Sequence, residues 1–226
     1  LRLASSFPNE HLQVSIGSFI DMRYRQRDHY IARICETIYR SYQIRPGNYL
    51  VFFTSYAFMQ KVQAHFTSAY PDLETRVQIR GSDDVQRADF LANFFTLENT
   101  LGFAIMGGVF AEGIDYVGHS LIGAIIVGVG LPHASTEQQL IQQDFESLQL
   151  DGFDYAYRFP GLTRVQQSAG RVIRSETDRG VIILLDRRFQ QAGYRHYFPP
   201  HWQAQHCHNI DTLEQSLQQF WADSHG

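Results

Sequence analysis

The 226-residue sequence has a single lysine, Lys61, among its 19 basic residues. That lysine follows Gln60, so the Gly-Lys-Ser/Thr of a phosphate-cradling P-loop is absent. A chain without it is not expected to bind and hydrolyse a nucleotide unaided. Cysteine is equally scarce, with only Cys35 and Cys207, far apart in sequence. Two thiols give no disulfide framework, suit a reducing compartment, and cannot supply the four that an ordinary iron–sulfur cluster needs. A positive charge balance is also lacking: the formal net charge is -4. That excludes a surface that is basic overall, so any contact with nucleic acid must be a local groove. No apolar run reaches membrane-spanning length. The longest, Leu121 to Leu131, is interrupted by three glycines, ends at Pro132 and reads as a buried strand. No signal peptide opens the chain, and it starts at Leu1 without methionine, which reads as a fragment of a larger protein.

What is present is globular: 44% hydrophobic, 14% aromatic and 19% charged, enough for one large domain. Leu12, Val14 and Ile16 alternate with polar residues as a short strand does. Between Gln26 and Tyr42, Tyr30, Ile31, Ile34, Ile38 and Tyr42 recur at helical spacing. Pro46-Gly47 is a turn, and Tyr49 to Phe53 reads as a buried strand. Ser55 is placed to cap a helix running to about residue 69. A strand over Arg76 to Arg80 follows, then a helix capped by Ser82-Asp83-Asp84 with Phe90, Leu91, Phe94 and Phe95 inward. Further strands are expected at Leu101–Met106, Leu121–Val129 and Val181–Leu185. Further helices are expected at His133–Leu150, Leu162–Arg174 and Thr212–Trp221. Strands that alternate with helices predict an α/β domain, a mostly parallel sheet with helices on both faces. The Gln-rich segment 133–160 fits this scheme least well and reads as an insertion.

In such sheets ligands bind beyond the carboxyl ends of the strands. Residues 107–118 follow one strand and combine Gly107, Gly108, Gly113 and Gly118 with Glu112 and Asp115. The glycines permit close backbone approach, and the carboxylates suit a ribose hydroxyl or a metal-bound water. A tight solvated loop with capping acids explains the same spacing. The second candidate is the helix bearing Gln167, Gly170, Arg171 and Arg174. Arginines three apart share a helix face and present planar forks of donors suited to phosphate. Surface pairing with Glu176 or Asp178 is the alternative. Gly128-Val-Gly130 lacks the third glycine of a dinucleotide fingerprint and reads as strand-end packing. His201, His206, Cys207 and His208 read as an ordinary polar loop, so no metal site is expected.

Taken together, these segments resemble the second RecA-like motor domain of the superfamily 2 DNA helicases of the XPD/DinG type. Gly107 to Tyr116, with Gly118 and Leu121, is similar to that family's motif V. Gln167-Ser-Ala-Gly-Arg-Val-Ile-Arg174, with Asp178, Gly180, Asp186 and Arg188-Phe189, is similar to motif VI. Pro46 to Tyr56 resembles the motif IV region, and the likeness covers nearly all of residues 1–226. The resemblance implies a RecA-like fold and one half of an ATP-dependent 5′-to-3′ DNA helicase. It implies that Arg171 and Arg174 reach the γ-phosphate of ATP and that Gln167 positions nucleotide or water. Glu112, Asp115, Gly113 and Gly170 would lie at the nucleotide. Ser55 and Tyr56 would touch single-stranded DNA, Tyr56 also stacking on a base. ATP and Mg would be held mainly by a first RecA-like domain of the same polypeptide. An iron–sulfur cluster, where the family has one, belongs to that first domain. A monomer in the bacterial cytoplasm, without a membrane partner, is the matching expectation. The sequence departs from the whole family pattern because it has no Walker A motif, no DEAH-type box and no cysteine set. Two rivals stay open: a catalytically inert RecA-like interaction or regulatory domain, and a stand-alone α/β hydrolase using Glu112 and Asp115.

Overall fold

A computed structural model describes residues 8–81, 85, 86, 90, 94, 99–107, 121–170, 172 and 178–223. Its centre is a seven-stranded sheet formed by β1 (Leu12–Gly17), β2 (Tyr49–Phe53), β3 (Thr75–Val77), β4 (Leu101–Ile105), β5 (Gly123–Val127), β6 (Gly180–Leu185) and β7 (Gln205–Cys207). The spatial order is β3-β4-β2-β5-β6-β1-β7, and every pairing is parallel. Parallel strands need crossovers, which cover both faces and bury the central strands on both sides. All residues of β2, β5 and β6 are buried accordingly.

Side-chain alternation sorts each strand between two cores. Leu50, Phe52, Ala124, Ile126, Ile182 and Leu184 enter one, with Leu162, Val165 and Ala169 of α4 (Phe159–Ala169). Tyr49, Val51, Phe53, Ile125, Val127 and Ile183 enter the other, under α1 (Ile31–Ile44), α2 (Tyr56–Ala69) and α6 (Ile210–Ala222). Ile34, Ile38 and Tyr42, four apart, are the buried stripe of α1. Ser55 caps α2 by accepting the Phe58 N–H at 3.4 Å, and Asn209 and Thr212 form a reciprocal capping box on α6.

Several boundaries differ from expectation. The helix expected from Gln26 begins as a 3-10 turn, Arg27–Tyr30, before α1. The strand expected over Arg76–Arg80 is Thr75–Val77. The helix expected over Leu162–Arg174 starts earlier and ends at Ala169, where the Gly170 N–H donates to Gln166. It is preceded by a π-helical turn, Asp154–Arg158. Segment 133–160 supplies that turn and α3 (Thr136–Ser147), capped by Ser135 and without a buried residue. The tail expected to be a polar loop instead contributes β7, because Gln205, His206 and Cys207 pair with Ser15, Ile16 and Gly17 at the sheet edge. The expected helix after Ser82 and the loop 108–118 lie mostly outside the described residues.

Candidate functional site

Beyond the carboxyl ends of β1, β2, β5 and β6 lies an open cleft of about 180 Å³. The residue after β2, Thr54, and the α2 cap Ser55 form one wall. Gly128, Gly130 and Leu131, following β5, form another. Met22, Tyr24 and Arg27, between β1 and α1, supply a third, and His133 and Arg188 complete the lining.

The two glycines are there for backbone reasons. Gly128 and Gly130 have φ of 93° and 66°, in the region that side chains disfavour. A Cβ on Gly130 would also stand 2.9 Å from the Gly161 carbonyl oxygen. The strand end thus turns sharply against α4, and Arg164 reaches back to the Gly130 carbonyl at 3.4 Å. Reading Gly128-Val-Gly130 as strand-end packing agrees with this geometry.

The cleft's described charged side chains are basic, with Arg188 paired to Asp186 at 2.6 Å and Arg27 standing 3.9 Å from Asp28. Arg27, Arg188 and His133 line the cleft, and no carboxylate does among its described lining residues. Nearby acids are each held by a base. Asp21, 3% exposed, takes the Arg23 guanidinium on both oxygens, with the closest approach at 2.5 Å. Those hydrogen bonds hold its carboxyl below the usual value against the opposing effect of burial. Asp28 pairs with Lys61 at 2.5 Å. Asp186, fully buried, accepts the Arg188 backbone N–H at 2.9 Å and side-chain bonds of 2.6–3.2 Å. Burial pushes the Asp186 carboxyl up, and the Arg188 bonds pull the other way. Asp21 and Asp186 therefore stand two residues before the arginines they fix, in the segments that follow the neighbouring strands β1 and β6, and the Arg187 N–H ties the two segments by donating to the Ile20 carbonyl.

Tyr24 is 81% exposed. Its ring lies over the Arg27 guanidinium at 4.8 Å, and the same guanidinium lies 4.9 Å from the Phe58 ring. Sequence reasoning missed this element. The signal was present in Arg23-Tyr24-Arg25-Gln26-Arg27, a basic run interleaved with an aromatic, but it fell between two periodic segments.

Of the residues expected at a site, Ser55 lines the cleft and Tyr56 opens α2, half-buried against the core. Gln167 and Gly170 are exposed at the other end of α4. That end lies at the amino edge of the sheet, since Val172 packs on Gly180 at the start of β6. The two groups are thus separated by about a strand's length, on the order of 15–20 Å. Arg171, Arg174, Glu112, Gly113 and Asp115 lie outside the described residues. Among the described residues, no group of three or more His, Cys, Asp or Glu is gathered that could hold a metal ion. No described helix is long and apolar enough to cross a membrane.

Comparison with known proteins bears on this arrangement. A family model described as the helicase C-terminal domain matches residues 38–205. The chain is similar to the 3′-5′ exonuclease DinG of Staphylococcus haemolyticus, 26% identical over 94% of this chain and 22% of that protein. It is similar to a regulator of telomere elongation helicase 1 homolog of Drosophila grimshawi, 30% identical over 75% of this chain and 19% of that protein. It is also similar to a probable ATP-dependent helicase of Methanocaldococcus jannaschii, 26% identical over 84% of this chain and 31% of that one. The chain therefore spans a fifth to a third of the curated relatives it matches. Among solved structures, XPD without ligand superposes with a TM-score of 0.69 at 21% identity, covering 87% of this chain and 40% of that one. The C-terminal domain of the DEAD-box protein Dbp5 superposes with a TM-score of 0.57 at 12% identity, covering 93% of this chain and 98% of that domain. These superpositions establish the RecA-like fold.

Proposed function

The chain belongs to the helicase C-terminal domain family, and from that premise we propose that it is the second motor half of an ATP-dependent DNA helicase. The observation that carries the reading is the carboxyl-edge cleft, lined by arginines, hydroxyls and an exposed aromatic, with no carboxylate among its described lining residues. Such a lining suits the phosphate backbone and bases of a single strand. An overall net charge of -4 makes the charge of this groove a local feature.

In this reading ATP and its Mg are held mainly by a first motor domain, because this sequence has no P-loop lysine to reach the phosphates. Arg171 and Arg174 meet the γ-phosphate across the interdomain cleft, and Gln167 orients nucleotide or attacking water. Their guanidinium forks neutralise charge that develops as the phosphoryl group transfers. Gly113, Glu112, Asp115 and Gly170 complete the nucleotide side. Ser55 donates its hydroxyl hydrogen to the DNA backbone while its oxygen caps α2, and Tyr56 lies beside it. Separation of the two groups on opposite sheet edges supports the reading. A domain that meets ATP at one edge and DNA at the other converts closure of the nucleotide site into displacement of the strand.

The exonuclease in the staphylococcal protein's name carries no argument for this chain, which covers 22% of that protein. Strand displacement by the longer protein tests the proposal. A duplex with a 5′ single-stranded tail is expected to be unwound with ATP, and the same duplex with a 3′ tail is not. Unwinding from the 3′ tail would overturn the polarity. Failure with both tails, with DNA-stimulated ATP turnover intact, would overturn the helicase assignment.

A further inference from the structure

We propose that Tyr24, backed by Arg27 and Phe58, is the platform on which a nucleobase of a single strand stacks at the mouth of the carboxyl-edge cleft. The inference rests on the nucleic-acid reading above and assigns a residue to it. Tyr24 leaves 81% of its surface in water, so its ring is open to a ligand. Its orientation is nonetheless fixed. One face lies over the Arg27 guanidinium at 4.8 Å, and that guanidinium packs at 4.9 Å against Phe58, which is 1% exposed. Arg27 is itself well shielded, with 21% of its side chain exposed, and cation–π attraction strengthens as the cation loses water. The layered Tyr–Arg–Phe arrangement anchors the ring to the core and leaves its outer face open.

The surroundings identify the ligand class. Arg23 and Arg25, the sequence neighbours of Tyr24, are both exposed, and the Arg23 side chain is 60% so. Arg25 puts positive charge beside the ring, suited to a phosphate next to a stacked base, while the Arg23 guanidinium is held by Asp21. Arginines alone would serve any polyanion, including a duplex. The open aromatic face discriminates, because only a single strand offers an unstacked base. Tyr56 is less suited to the task, since its ring is half-buried against the core. Thr54 and Ser55 line the same cleft as Tyr24 and offer hydroxyls to the same strand.

The test is binding of a short fluorescent oligothymidylate to the chain, beside an oligonucleotide of equal length whose sites are abasic. Tyr24→Ala is expected to weaken binding of the normal strand roughly tenfold, within the range that one base–aromatic stack supports. Tyr24→Phe keeps the platform and is expected to keep the affinity. On the abasic strand, Tyr24→Ala and wild type are expected to bind alike. A 2-aminopurine placed in the strand is expected to be quenched by wild type and Tyr24→Phe, and not by Tyr24→Ala. If Tyr24→Ala binds both strands like wild type, the platform is wrong and nucleic-acid binding by the chain stands. If wild type binds neither strand, the cleft reading falls along with the platform. The arginine roles are then judged separately by ATP turnover.

Discussion

Replacing Arg171 with alanine is expected to lower DNA-stimulated ATP turnover of the longer protein by roughly 10³-fold or more, while ATP still binds. The size follows from the step the residue serves. Phosphoryl transfer leaves a protein little covalent work, so positioning and charge stabilisation dominate, and a guanidinium at the γ-phosphate acts where charge develops. In the proposed reading a P-loop half of the site carries ground-state binding, so the loss should appear in kcat and hardly in nucleotide affinity. Arg171→Lys should rescue poorly, because an ammonium offers no planar fork. Equilibrium binding of a fluorescent ATP analogue beside steady-state turnover separates the two. Unchanged turnover would remove the motif VI assignment.

The second large effect concerns stability. Arg188→Ala is expected to destabilise the chain by about 3–5 kcal/mol, because it strands the fully buried Asp186 carboxylate without its side-chain partner. For a chain of this size that lowers Tm by on the order of 10 °C. The effect carries a pH signature. Burial already pushes the Asp186 carboxyl above its usual value, and loss of the guanidinium pushes it further. A carboxyl raised in the folded state binds more protons folded than unfolded, so its stability contribution is fully present below the unfolded value and fades as pH rises through the folded one. The Arg188→Ala deficit should therefore shrink on acidification from neutral pH toward pH ~4. Asp21 works in the opposite sense, since Arg23 depresses it, and stability from that pair is lost as pH falls. Thermal melts of wild type and Arg188→Ala across this range measure both. A pH-independent deficit would mean that Asp186 is not the group left behind. The double variant Asp186→Asn/Arg188→Met should recover part of the loss.

Much of this architecture was legible because it is local. The apolar runs 49–53, 101–106 and 181–185 carry their burial in composition, and the structure places β2, β4 and β6 on them within a residue. Ser55 announced its helix because a cap needs only the next turn. What stayed hidden depends on partners distant in sequence. β7 is three residues long and polar, and it is a strand because β1 offers it an edge. The Leu162–Arg174 prediction read through Gly170, where the helix stops. Spacing placed Gln167 and the cleft residues in one family pattern, yet could not say that they occupy opposite sheet edges. Tyr24 escaped because stacking on Arg27 and Phe58 joins a loop to a helix more than thirty residues on. Asp186 and Arg188 were visible as a motif. Their pairing needed the depth of β6, which only the folded sheet supplies.

The most direct test of the central claim is ATP turnover by the isolated chain, compared with the same chain joined to the first motor domain proposed for it, each with single-stranded DNA. The account predicts no turnover by the chain alone and DNA-stimulated turnover by the joined protein. Robust turnover by the chain alone would contradict it, because a site completed within these residues would leave nothing for a second domain to supply.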